Sequence, residues 1–361
     1  MVPEAKAVRE TMVVAVLEEA RAKERGGLRP MEPVQDLGAI ADLVGDAFAD
    51  ELDERGRAAL REMRWMARLT PLVWWWSQVD PAFRDAFNGF VWEKPVQVAL
   101  GESSGSKRIV GNVSLSRAAG NPQRWIICNV VVLKEYRGRA IGRRMMEAAV
   151  KEAQEIGAAG VLLQCHRDNT RALGLYTRMG FYEVSGEVDL RLDAVSSVAF
   201  LNAPGCEIRR WRPTDGQATF ELAKQAIPAV LQWIKPVRAQ EYRPDWLLRL
   251  WQGVSDLAAG RRTYRLVAQK DGRLVAVMTL TAASRNGEHR MSLLVHPDHE
   301  GQVEGALVSR ALYMLAATPS RPVQITAHTG DDEILKVLAH YGFKEQRTLL
   351  TMRKDFVEGR G

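Results

Sequence analysis

The chain has 361 residues, enough for two ordinary domains, and its 46% hydrophobic and 26% charged composition is that of a globular protein rather than a disordered or fibrous one. No uninterrupted apolar run approaches the ~18 residues of a membrane helix, and the net charge of +6 is spread along the chain without a dense Lys/Arg block, so neither a membrane nor nucleic acid is an expected partner. Three cysteines make no disulfide framework and point to a reducing, cytoplasmic setting.

Residues 1–25 read as an amphipathic helix, because the short apolar run from Met12 to Leu17 is followed at once by charges and lacks a signal-peptide layout. From Gly27, "GLRPMEPVQDLGAIADLVGDAF" gives a short strand, a proline-containing turn with Asp36 at the helix start, and an amphipathic helix. Residues 52–90 read as additional helix carrying Trp74, Trp75 and Trp76. Three consecutive residues cover about 200° of a helix at ~100° per residue, more than one buried face absorbs easily. Interdomain core is the plainer role for these tryptophans; an aromatic acceptor pocket is the sharper one.

"VQVALGESSGSKRIVGNVSLS" then reads as a hairpin turning at "ESSGSK". "WIICNVVVL", Trp125 to Leu133, is a buried strand, and residues 141–156 are a helix stopped by Gly157. "GVLLQCH" is the next strand, and "NTRALGLYTRMG" a helix ended by Gly180. Residues 194–205 are the expected linker.

The chain then repeats itself. "CEIRRWRPTDGQATFELAKQAI" from Cys206 restates the opening strand, turn and helix, with Asp215 in the place of Asp36. A second hairpin turns on Asp271-Gly272, and "HRMSLLVHP" is the second central strand. Gly-Phe pairs stand at 180–181 and 342–343, an offset of 162, and the loops ending in Gly142 and Gly305 are offset by 163. A nearly constant offset indicates duplication. The expected architecture is α/β, in two tandem copies over 26–193 and 206–361, each reading β-α-(α)-β-β-β-α-β-α-β.

In "VVLKEYRGRAIGRRMM" a strand ends, a glycine-containing loop turns and a helix begins. A helix N-terminus offers unpaired N–H groups and partial positive charge, so the turn suits an anion such as phosphate. The glycine spacing fits neither the P-loop nor the dinucleotide fingerprint.

The loop resembles the acetyl-CoA pyrophosphate loop of the GCN5-related N-acetyltransferase superfamily, Gln/Arg-x-x-Gly-x-Gly/Ala, standing here as Arg137-Gly138-Arg139-Ala140-Ile141-Gly142. The superfamily's second signature, Asn-x-x-Ala-x-x-Leu-Tyr-x-x-x-Gly-Phe, is matched by Asn169, Ala172, Leu175, Tyr176, Gly180 and Phe181. The first copy matches throughout and the second in layout only; in overall plan the chain resembles tandem members such as the mycothiol synthases. The resemblance implies a mixed, mostly antiparallel sheet in each copy, with its two central parallel strands splayed apart. Ala140 replaces a pattern glycine and is tolerated if the turn is right-handed there.

The resemblance further implies that acetyl-CoA is the co-substrate, with no metal. The Val130, Val131 and Val132 backbone would pair with the pantetheine arm, and an N–H near Val131 or Val132 would stabilise the oxyanion. Gly138 to Arg143, with Arg137, would hold the pyrophosphate, and Asn169 the cofactor arm. Tyr176 is the candidate general acid; a structural aromatic is the competing role. The base is not evident: His166, Glu93, Asp80 or a carboxylate of the second copy could serve. Glu93 and Trp74 to Trp76 are placed at the acceptor site. Cys128 and Cys165 read as small core residues, and the second-copy histidines as solvated loop residues.

In the second copy, Glu300 and Glu304 stand where Arg137 and Ile141 stand, so coenzyme A is not expected there. The expected function is transfer of acetyl to an amine of a small molecule or peptide, by direct attack, in a monomer or homodimer. A non-catalytic acyl-CoA sensor would keep the loop without needing Tyr176.

Overall fold

The computed structural model describes residues 27–47, 61, 64–65, 88–95, 107–195, 198–243, 255, 260–284 and 287–356. The expected helix over 1–25, Trp74 to Trp76, Asp80 and the hairpin turn at 102–106 lie outside the described residues. The chain divides into two compact units: Met1–Ala118, Pro122–Leu163 and Lys354–Gly361 form the first, and Ala119–Asn121 with Gln164–Arg353 the second.

In the first unit, β1 (Gly27–Pro30), β2 (Asn88–Pro95), β3 (Lys107–Arg117) and β4 (Arg124–Val132) pair antiparallel in that order. β5 (Gly160–His166) then pairs parallel to β4 from Arg124↔Gly160 to Ile127↔Leu163. β2 begins inside the stretch expected to be helix, because Phe90, Val91 and Trp92 find cross-strand partners in Val113, Asn112 and Gly111.

Register fixes which helix covers which face, since in-register neighbours point the same way. The row Val91–Asn112–Val131 faces α1 (Pro33–Ala47), whose Ile40, Ala41, Leu43 and Val44 share its core cluster. The row Trp92–Gly111–Val132 faces α2 (Ile141–Glu155): the Arg144 guanidinium lies 5.9 Å from the Trp92 ring centre, and a Cβ on Gly111 would stand 3.0 Å from Met145 Cε. Glycine at 111 thus lets the buried Met145–Met146–Ala149–Ala153 stripe of α2 close on the sheet.

The second unit carries α3 (Thr170–Arg178), β6 (Tyr182–Leu192) and β7 (Glu207–Arg210), then α4 (Gly216–Ala226), α5 (Ala229–Ile234) and α6 (Ala239–Tyr242). Strands β8 (Arg261–Lys270), β9 (Arg273–Ala283) and β10 (His289–Val295) follow, then α7 (Glu304–Ala316), β11 (Val323–His328), α8 (Asp332–His340) and β12 (Lys344–Asp355). β7, β8, β9 and β10 pair antiparallel, and β10 pairs parallel to β11 from His289↔Val323 to Met291↔Ile325.

The last strands are exchanged between the two copies. β6, which closes the first copy in sequence, pairs antiparallel with β11 of the second, Leu192 facing Val323 and Glu187 facing His328. β12 takes the other side of β6. Within the first unit, to which residues 354–361 belong, Phe356 N donates to Ala159 O at 3.1 Å and Asp355 pairs with Arg124. Edge strands left open would template aggregation; the exchange covers them.

The duplication is visible in detail. Arg29 grips Asp36 through Nη1 and Nη2 at 2.7 and 2.8 Å, and Arg209 grips Asp215 in the same fashion at 2.8 and 2.9 Å. In both copies the acid also accepts from a turn amide, that of Glu32 or Arg212. The expected solvated loop histidines need correction: His328 ends β11 with its Nδ1 buried, His340 ends α8, and His289 is fully buried, its Nδ1 accepting from Ala283 N at 3.0 Å and its Nε2 facing Pro319 O at 3.1 Å. Thr318 Oγ1 also lies 3.3 Å from Nε2, so the imidazole ties three backbone and side-chain groups together from a buried position. No helix among the described residues is long and apolar enough to cross a membrane.

Candidate active site

β4 does not run straight into the loop. Asn112 pairs with Val131 but Ser114 with Cys128, so Asn129 and Val130 oppose a single residue of β3, forming a bulge. Asn129 takes a left-handed conformation at φ +50°, which asparagine tolerates better than most residues. The fully buried Asn112 holds the bulge, donating from Nδ2 to Asn129 O at 3.0 Å and to Ser114 Oγ at 3.1 Å. Nothing in the sequence distinguishes Asn112 as this clamp, because its partner is 17 residues away and meets it only across the strand pair.

Past the bulge, Leu133 N donates to Val110 O on the β3 side. Strand alternation then turns the Val132 amide to the opposite edge of β4, where the parallel register with β5 has already ended at Ile127. Of the two expected amides, Val132 therefore points away from β3 and Val131 toward it. Val132 O is itself taken by Arg137 Nε at 2.9 Å, which pins the loop to the strand end.

The loop turns through a short 3-10 segment at Lys134–Tyr136, then Gly138 at φ +81° and Ala140 at φ +58°. Ala140 is thus left-handed, not right-handed as expected; the position keeps the conformation that favours glycine and carries the strain of a Cβ there. Ala140 is the N-cap of α2 and provides no side-chain oxygen, so no side chain caps the first turn. Arg137, Gly138, Arg139 and Arg143 are exposed around these amides, with Arg143 paired to Glu147 at 2.7 Å. A Cβ on Gly142 would stand 3.7 Å from Val132 Cγ2, an ordinary contact, so this glycine is not sterically required.

The second signature is a pair of helix ends. Asn169 is the N-cap of α3, and its Oδ1 accepts from Ala172 N at 3.2 Å. Gly180, at φ +84°, follows the C-cap Met179; Phe181 N donates to Tyr176 O and Gly180 N to Thr177 O, both at 3.0 Å. This is a Schellman closure, completed by the buried Phe181 ring 6.1 Å from that of Tyr176. The second copy repeats it with Gly342, Phe343 and Leu338.

Tyr176 is buried, and burial, with Cys165 adding, pushes its phenol well above the usual tyrosine range. Among the described residues its hydroxyl has no hydrogen-bond partner, so the group keeps a proton that no protein acceptor holds. His166 ends β5, and Asn169 N donates to its carbonyl. Cys165 is buried; the Cys128 thiol, pushed up to about 11 by burial, stays protonated and is no nucleophile at neutral pH. Glu93 is buried and accepts from Arg29 Nε at 2.8 Å, in the same cluster that holds Asp36. The loop and Val130 to Val132 belong to the first unit, His166, Asn169 and Tyr176 to the second.

The corresponding turn of the second copy is closed from within. Gly301 keeps φ +79°, close to Gly138, but Val303 at φ −126° departs from Ala140. The buried Glu304 folds back, Oε1 accepting from Gly301 N at 2.8 Å and Oε2 from Val303 N at 3.0 Å. A carboxylate of the chain thus occupies the amides that an external phosphate would need. Neighbouring acids crowd this turn: burial raises the Glu300 carboxyl, and Asp331, Glu304 and Glu333 add to the effect.

Residues 57–181 match the sequence model of the acetyltransferase (GNAT) family. The mycothiol acetyltransferase of Pseudarthrobacter chlorophenolicus is 30% identical over 179 residues, 48% of each chain. The N-alpha-acetyltransferase MAK3 of Arabidopsis thaliana is 41% identical over 58 residues, 16% of this chain and 30% of its own. The chain spans about half the length of the first relative and less of the other. A GCN5-related N-acetyltransferase from Sphaerobacter thermophilus superposes with TM-score 0.54 at 16% identity, covering 92% of this chain and 96% of that one. A tandem GNAT protein from the clavulanic acid biosynthesis pathway gives TM-score 0.50 at 17% identity, with 92% and 98% covered. The fold is therefore α/β with two tandem GNAT-like copies.

Proposed function

Starting from the acetyltransferase (GNAT) family domain that this chain carries, we propose that it moves an acetyl group from acetyl-CoA to a primary amine of a small molecule or peptide. The observation that supports this reading best is the contrast between the two glycine turns. The first, at Gly138 to Gly142, is uncapped by side chains and ringed by arginines; the second is plugged by Glu304.

The pyrophosphate sits on the α2 amides with Arg137, Arg139 and Arg143 around it, a helix N-terminus with added positive charge. The pantetheine arm pairs along Val130 to Val132, where the bulge held by Asn112 breaks the strand's own pairing. The amine nitrogen attacks the thioester carbonyl, and the oxyanion that forms is stabilised by the Val132 amide. Collapse breaks the C–S bond, the departing thiolate takes the Tyr176 hydroxyl proton, and the amine loses a proton to a base, for which His166 is the candidate. Asn169 adds its free Nδ2 to the cofactor arm while Oδ1 caps the helix. Glu93, held by Arg29 Nε at 2.8 Å, is assigned to the acceptor, as are Trp74 to Trp76, which lie outside the described residues.

The test is acetyl-CoA binding followed by free-thiol release across a panel of amines. Binding with turnover on at least one amine supports transfer. Binding without turnover on any supports the acyl-CoA sensor, and absence of binding removes both.

A further inference from the structure

In the second unit a cavity of about 480 Å³ opens between α4, α5 and α6 and the sheet face formed by β8, β9 and β10. Register places three polar side chains in one row across that face: Arg265 of β8 opposite Thr279 of β9, and Thr279 opposite Ser292 of β10. All three line the cavity. The next row on the same face, Val267–Val277–Leu294, is apolar and packs on Leu222 of α4, as a covered sheet face should. The row on its other side, Thr263–Thr281–Arg290, is polar as well, so the cavity lies where the apolar, covered part of this face gives way to polar side chains.

Arg265 is half-buried and has no carboxylate partner among the described residues. Its guanidinium stacks 5.2 Å from the centre of the Trp211 ring, whose Nε1 is fixed on Thr219 Oγ1 at 2.9 Å. Glu187 and Glu241 also line the cavity, but neither forms an ion pair with Arg265; Tyr242 is the ionisable group that acts on it. Burial lowers the affinity of this guanidinium for its charge, the cost that an anion in the cavity would remove. Thr279 and Ser292 make no side-chain hydrogen bond among the described residues, which leaves two hydroxyl donors in the same row and lining the same cavity as the arginine. Ile227, Leu231 and Ile234 form the facing wall.

We infer that this cavity is a binding site for a small organic monocarboxylate. Its carboxylate is held bidentately by Arg265 with Thr279 and Ser292, and its hydrocarbon body packs on Ile227, Leu231 and Ile234. The second unit is then a ligand-binding module in its own right, whether or not the first unit transfers acetyl groups.

The experiment is calorimetric titration of the full chain with benzoate and hexanoate, against benzylamine and hexanol as shape controls, at up to about 10 mM. The expected result is that the carboxylates bind and the controls do not. Arg265→Gln should weaken carboxylate binding by about tenfold or more, the loss of a charge-assisted bidentate contact. Ser292→Ala and Thr279→Val, which keep shape, should each weaken it by about threefold or more. These two variants decide the matter if Arg265→Gln does not fold. No carboxylate binding, equal binding of the controls, or variants that bind as the parent does would each overturn the assignment.

Discussion

Replacing Glu304 with alanine opens the second glycine turn. The side chain is buried and satisfies two loop amides, from Gly301 at 2.8 Å and Val303 at 3.0 Å. Hydrogen bonds to a charged group contribute about 1.5–3 kcal/mol each, so two would reach ~3–6 kcal/mol. The same carboxylate is repelled by Glu300 and Asp331, and truncation relieves that repulsion. The net expectation is a loss of about 2–4 kcal/mol, read as a lower urea midpoint. Hydrogen exchange should show the Gly301 and Val303 amides losing protection. A loss below about 0.5 kcal/mol with both amides still protected would refute the reasoning.

Tyr176→Phe removes a hydroxyl that burial keeps protonated; turnover on an accepted amine should fall by about 100-fold or more while acetyl-CoA binding stays within about twofold. Ala140→Gly relieves a left-handed alanine at φ +58°, worth about 1–2 kcal/mol, against about 0.4–1 kcal/mol of added unfolded-state entropy; a urea midpoint equal to or above the parent's is expected. Burial lowers the His289 pKa, so the unfolded chain binds more protons than the folded one. Stability should be level above about pH 7 and fall as pH drops below the ordinary histidine value near 6.5, and His289→Gln should flatten that slope.

Much of the candidate site was legible along the chain. The glycine turn before α2, the Asn-x-x-Ala and Gly-Phe spacing around α3, and the carboxylates in the second turn are local features, and local hydrogen bonding explains them. Asn169 and Gly180 cap the two ends of one helix, so their spacing encodes that helix's length. The left-handed state of Ala140 was not legible, because the backbone angle of a non-glycine residue is set by what the loop must span. Nor was the start of β2 at Asn88, since Phe90, Val91 and Trp92 suit a helix core or a strand equally until β3 provides partners.

The sequence by itself determined the duplication, most of the order of strands and helices, and the presence of carboxylates in the second of two matching turns, because each is read from residues along the chain. Tertiary structure alone decided the rest. Asn112 holds the bulge of β4, Arg265, Thr279 and Ser292 share a row on one face, and β6 lies between β11 and β12. Strand neighbours in each case come from distant parts of the chain, and side-chain period along one strand says which face a residue takes but not which strand lies beside it.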